Sequence, residues 1–107
     1  MGKIFGESVE GVKLTDNSLF ARLHGAVATT RPDHIYTTLS ERAFFADGRL
    51  ALHEYFHVLR QWNTGELTRT GYLIESFQNG YFNNRFEVEA RSFAGQNVGE
   101  YYRLLGR

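Results

Sequence analysis

Cysteine is absent from the 107 residues, which excludes disulfides, a thiolate nucleophile and any cysteine-based metal site, and leaves the redox compartment open. An excess of one charge sign is missing too. Twelve Lys and Arg face twelve Asp and Glu, so the formal net charge is zero. That balance removes the electrostatic reason to expect nonspecific binding to nucleic acid or to an anionic membrane. No apolar run reaches the roughly 18 residues needed to cross a bilayer. The N-terminal stretch MGKIFGESVEG lacks the apolar core of a secretory signal, and Gly6 stands where an N-myristoylation motif wants Ser or Thr. The expectation is a protein with no nucleic-acid partner and no membrane association, cytoplasmic by default.

What is present is the composition of a compact globular protein, 42% hydrophobic and 15% aromatic, in a chain long enough for one domain spanning residues 1–107. Two compositional halves meet near residue 47. In the first, short apolar runs are broken by Gly, Asp and Asn. Lys3 to Phe5 and Gly11 to Leu14 read as short strands, and Asp16 as the N-cap of a short helix through Leu23. HIYTTL, His34 to Leu39, combines β-branched and aromatic residues after an Arg-Pro-Asp turn built on the only proline, Pro32, and reads as a strand. In the second half, Asp47-Gly48 marks a turn and Leu50 through Trp62 run without Gly or Pro as a helix, stopped by Asn63-Thr64-Gly65. Leu67, Leu73, Ile74 and Phe77 recur at helical spacing, predicting a second helix from about Glu66 to Gln78. Phe86, Ala90, Phe93 and Ala94 form the apolar stripe of a third. Gly95 and Gly99 flank a last short segment ending in Tyr101, Tyr102, Leu104 and Leu105.

The first of these helices carries His53-Glu54-Tyr55-Phe56-His57, an HExxH sequence. Two histidines four apart project from one helical face, close enough to share one zinc ion, and the intervening Glu can act as general base toward a water at the metal. At about 100° per residue, His53, Glu54, His57, Arg60 and Gln61 share one side. Ala51, Leu52, Tyr55, Phe56, Val58, Leu59 and Trp62 cover the other. A catalytic zinc needs a third protein ligand and an open position. His24, His34, Glu87 and Glu89 are the candidates. The two glutamates lie roughly 200° apart around their helix, so only one can face the metal, and periodicity does not choose between them.

The pair of segments HEYFHVLRQW and NNRFEVEARSFA resembles the gluzincin metallopeptidases, which join HExxH to a glutamate on a later helix. The resemblance is closest to small members with an HExxHVxxQ helix and an N-x-F-E-x-E-A segment, and it extends from about Ala51 to Ala94. It implies that the third ligand is the Glu three residues before a small Ala, which is Glu87 before Ala90. It further implies zinc-dependent hydrolysis of peptide bonds in a peptide or protein substrate, with zinc on His53, His57 and Glu87 and with Glu54 as the base. Many gluzincins carry an acidic or amide residue directly after that Ala, bonded to a histidine ligand; here the position is Arg91. The strand before the active-site helix would be the edge that pairs with extended substrate, the place HIYTTL occupies. Tyr72, Tyr81 and His34 are candidates to stabilise a tetrahedral oxyanion.

The expected fold is α+β: a small twisted sheet from the first 45 residues, packed on an HExxH helix and a following glutamate-bearing helix. A second functional expectation is a zincin-like module of weak or no turnover that still holds zinc and serves binding or assembly. The small size and Arg91 point that way.

Overall fold

The three-dimensional account rests on a computed structural model that describes residues 1–23, 27–80 and 83–106. Within them the chain runs α1 (Gly2–Phe5), β1 (Lys13–Thr15), α2 (Leu19–Leu23), β2 (Ala28–Arg31), β3 (His34–Thr37), α3 (Glu41–Ala46), α4 (Gly48–Phe56), a π-helical continuation of α4 (His57–Trp62), α5 (Arg69–Asn79) and α6 (Arg85–Leu104). The architecture is α+β, with a mixed three-stranded sheet ordered β1-β3-β2: β1 is parallel to β3, and β2 is antiparallel to it.

Local chemistry explains most of the element ends. The β2–β3 hairpin turns on Pro32 and Asp33, and Asp33 takes a positive φ of 60°, the conformation a tight turn demands and Asp tolerates. Ser40, Asp47, Thr68 and Asn84 each accept a backbone N–H of the helix that follows, from Ala43, Leu50, Gly71 and Phe86 respectively. Such caps contribute about 1 kcal/mol apiece. Gly65, at φ 81°, helps to end the HExxH helix as its sequence predicts.

The core forms where α4 and its continuation lie against α6. Ala51, Leu52, Tyr55, Val58 and Leu59 bury against Ala94 and Tyr101, with Phe5, Ile35 and Phe44 closing the cluster. Ala90 and Ala94 are small enough to bring the two helices close, which positions the site described below. At the far end, Tyr101 and Tyr102 clamp the α3–α4 junction. Tyr101 Oη donates to the Phe45 carbonyl (2.5 Å), Tyr102 Oη to the Ala46 carbonyl (3.2 Å), and Gly48 N–H donates to Tyr102 Oη (2.9 Å).

Several sequence expectations need correction. Lys3 to Phe5 is helical, and the Gly11–Leu14 strand shifts to Lys13–Thr15. Ser18, not Asp16, accepts from the first turn of α2, while Asp16 accepts the Glu41 N–H across the fold. α6 is one continuous helix through Gly95 and Gly99, because burial of Ala94 and Tyr101 on the same face outweighs the ~1 kcal/mol that each glycine costs. β2 and α3 carry too few periodic residues to have been anticipated. α5 begins at Arg69, after its Thr68 cap. It is fastened by polar contacts, Ser76 with Asn84 and Glu75 with Arg85, while Leu73, Ile74 and Phe77 face outward.

The clamp gives a paired stability test. A Cβ on Gly48 would lie 2.8 Å from Tyr101 Cδ1 and 3.0 Å from Tyr102 Cζ, whereas one on Gly99 meets nothing within 4 Å. Gly48→Ala should therefore cost about 1–3 kcal/mol through overpacking, and Gly99→Ala should gain about 0.5–1 kcal/mol through helix propensity. Thermal unfolding of the two variants checks this. A Gly48→Ala protein as stable as the parent would contradict the close approach.

Candidate metal centre

α4 presents His53 and Glu54, the start of the π-helical turn presents His57, and the first turn of α6 presents Glu87. These are the elements that the apolar core presses together. His53 Nε2 lies 2.9 Å from Glu87 Oε1, His57 Nε2 lies 3.1 Å from the same oxygen, and the two Nε2 atoms are 3.1 Å apart. A tetrahedral zinc with bonds of about 2.0–2.1 Å separates its ligand atoms by roughly 3.3–3.4 Å. The three spacings fall within a few tenths of an ångström of that. His53, His57 and Glu87 thus form a group that could hold a metal ion.

The protonation pattern follows from the surroundings. Gln61 Nε2 donates to the Phe86 carbonyl oxygen at 3.0 Å, and a carbonyl can only accept. The Gln61 amide is thereby oriented so that its Oε1 faces His57 Nδ1, at 2.6 Å. Nδ1 must carry a hydrogen to donate there, so in neutral His57 the lone pair is on Nε2, the atom turned toward His53 and Glu87. Tyr72 Oη donates to Glu87 Oε2 at 2.7 Å, which leaves Oε1 for the imidazoles. Lone pairs from His57 and Glu87 then face one another, and a proton or a metal cation must sit among them.

The titration tendencies agree. Burial disfavours charge on His57, but its hydrogen bond to Glu87, the charges of Glu54 and Glu87 and the contact with Gln61 outweigh that and raise its pKa. Burial would raise Glu87, yet the bonds from His53 and His57, the His57 charge and Tyr72 hold it far below the usual carboxylate range. Glu54, 6% exposed, is pushed up chiefly by burial and further by Glu87, against the pull of His57 and His53. A carboxylate made more basic in this way suits proton transfer. Its Oε1 stands 4.0 Å from His53 Nε2, beside the group and outside its hydrogen bonds.

Glu54, His57 and Glu87 open onto a cleft of about 410 Å³, within the roughly 300–1,000 Å³ typical of ligand sites. β2, Ala28 to Arg31, lines it as well. The edge strand beside the site is therefore β2, and the HIYTTL strand, β3, is the middle of the sheet. Trp62, which the helical wheel places on the side away from the histidines, lines the cleft and donates from Nε1 to Thr30 Oγ1 at 3.0 Å, tying the helix to that edge.

The other candidates separate cleanly. Glu89 is exposed and only accepts from Gln61 Nε2 at 3.3 Å. His34 lies away from the cleft, bonded to Thr15 Oγ1 at 2.7 Å and stacked on Tyr36. Tyr72 lines the cleft, with its hydroxyl engaged by Glu87. His24 and Tyr81 lie outside the described residues. Arg60 leaves the metal face, because i→i+5 turns rotate less per residue than α-turns. Its guanidinium bonds the Phe5 carbonyl and lies near Glu7. The orienting role of Gln61 was missed, although its position four residues after His57 was the available signal. No family model, curated protein or solved structure matches the chain.

A metal ion needs the His57 lone pair for which a proton competes, and the His57 pKa is raised. Metal affinity should therefore climb as pH rises through that elevated range and level off above it. At fixed pH, Gln61→Leu should weaken binding about 10–100-fold by freeing the His57 ring. Glu87→Gln should weaken it at least as strongly, and Glu89→Gln should leave it nearly unchanged. Competitive titration with a chromophoric chelator measures all three. A larger loss for Glu89→Gln than for Glu87→Gln would overturn the assignment.

Proposed function

We propose that this chain is a zinc-dependent endopeptidase of gluzincin type. The observation that carries the reading is the convergence of His53 Nε2, His57 Nε2 and Glu87 Oε1 beside a buried glutamate, Glu54, in an open cleft. Two imidazoles and a carboxylate are a donor set that suits zinc. What the ion supplies when bound is Lewis-acid polarisation of the scissile carbonyl and a lowered pKa for attacking water.

The rest of the work falls to the chain. β2, as the edge strand on the cleft wall, can pair its main chain with an extended peptide and align it past Glu54. Glu54 takes a proton from water as the water oxygen bonds to the carbonyl carbon, then delivers that proton to the amide nitrogen as the C–N bond breaks. Its proton affinity, raised chiefly by burial, favours the first transfer. Gln61 and Tyr72 hold His57 and Glu87 in position.

Glu54→Gln separates chemistry from assembly. It should retain one zinc per chain and the fold, and lose about 10²–10⁴-fold in cleavage of an unfolded substrate such as casein, the usual contribution of a general base. Cleavage should also stop with a zinc chelator. Equal cleavage by parent and variant would refute the enzyme reading. Zinc retention by both with no cleavage by either would favour a non-catalytic binding module.

A further inference from the structure

Two arginines line the cleft, Arg31 at the end of β2 and Arg69 at the start of α5. Three arginines elsewhere on the surface are paired: Arg60 lies by Glu7, Arg85 by Glu75 and Arg103 by Glu100. Among the described residues, Arg31 and Arg69 are paired with no carboxylate. Arg69 is exposed. Arg31 is half-buried, its guanidinium 5.5 Å from the centre of the Phe20 ring, a cation–π contact that fixes the group while leaving its in-plane N–H donors for another partner.

The acids of the cleft do not meet this need. Glu87 is engaged by His53, His57 and Tyr72, and Glu54 lies buried beside the same imidazoles. The two arginines formally balance these two carboxylates, so the charge of a bound divalent cation would remain uncompensated until an anion arrived. The chain as a whole is neutral, so this surplus is local. Arg31 also closes one end of the edge strand, where Asn63 ties down the turn through Asp33 Oδ1 at 2.8 Å, and Arg69 follows the loop that begins at Asn63. A peptide lying along β2 would run its length toward these cations.

We infer that Arg31 and Arg69 make the cleft a receptor for a peptide carboxylate, supplied by an acidic side chain or by a free C-terminus. The inference rests on the peptidase reading and names its substrate class. Guanidinium forks match carboxylates in shape as well as charge, so the preference extends beyond simple anion attraction.

Four peptides of otherwise identical sequence test it, with Glu or Gln at one internal position and a free or amidated C-terminus. Binding to zinc-loaded Glu54→Gln protein is followed by the emission of Trp62, the only tryptophan and itself in the cleft wall. Replacing Glu by Gln, or the free C-terminus by the amide, should weaken binding about tenfold, and the arm that does so identifies the carboxylate source. In the Arg31→Gln/Arg69→Gln protein that discrimination should fall below about threefold, and Arg69→Lys should restore only part of it. Zinc content and circular dichroism report that the variants are folded. Four equal affinities, no binding of any peptide, or discrimination that survives the double substitution would overturn the inference. Cleavage of the four peptides by the parent protein is read separately by mass spectrometry. Cleavage without carboxylate preference sinks the inference and spares the peptidase, whereas carboxylate-dependent binding without cleavage does the reverse.

Discussion

The Nε2 lone pair of neutral His57 and the carboxylate oxygen Oε1 of Glu87, 3.1 Å apart with His53 Nε2 within 3.1 Å of both, repel unless a positive charge lies between them, and the two main helices meet at this constraint. The interaction enforcing it is the Gln61 bridge. By donating to the Phe86 carbonyl and accepting from His57 Nδ1, it joins the HExxH helix to the start of α6 and fixes which nitrogen faces inward. Leu52, Val58, Phe86 and Ala90 on the two helices are buried. The apolar core thus supplies the force that holds a polar, charge-demanding cluster together, and the cluster sets the spacing of the two helices that build the core.

This coupling explains how much could be read in advance. The HExxH helix was legible because its faces separate cleanly, and its end because Asn63-Thr64-Gly65 cannot continue it. His53 and His57 follow from helical spacing alone, but Glu87 over Glu89 did not follow from periodicity. Each sits at a similar angle from the apolar stripe, and only packing against α4, with Tyr72 arriving from α5, decides between them. Arg60 shows the opposite failure. An α-helical wheel places it beside His57, and the π-turn, set by tertiary contacts, carries it to Phe5. β2 was invisible because Ala28-Thr29-Thr30-Arg31 is half-buried throughout and shows no alternation to detect. α6 was cut short in the reading because glycine propensity is local, while the tyrosine clamp that carries the helix past Gly99 is not.

Arg91, which departs from the gluzincin pattern, looks different beside Gln61. The resemblance raised the question of what orients the imidazoles if the residue after Ala90 cannot. For His57 the answer comes from its own helix, one turn on, through an amide anchored on the opposing helix. Orientation by an amide leaves the imidazole less basic than a carboxylate partner would. The charged walls of the cleft belong to the same balance. Both acids are committed around the imidazoles, and Arg31 and Arg69 are the cationic residues that line the same cleft.

His53, His57 and Glu87 form a group that could hold a metal ion, and X-ray absorption at the zinc edge tests most directly the proposal that they bind one zinc. On protein loaded with one equivalent, the account expects two imidazole nitrogens and a carboxylate oxygen at about 2.0–2.2 Å, with this signature lost in the His53→Ala/His57→Ala protein. Stoichiometric zinc that survives the double substitution, or a spectrum without imidazole scattering, would contradict it.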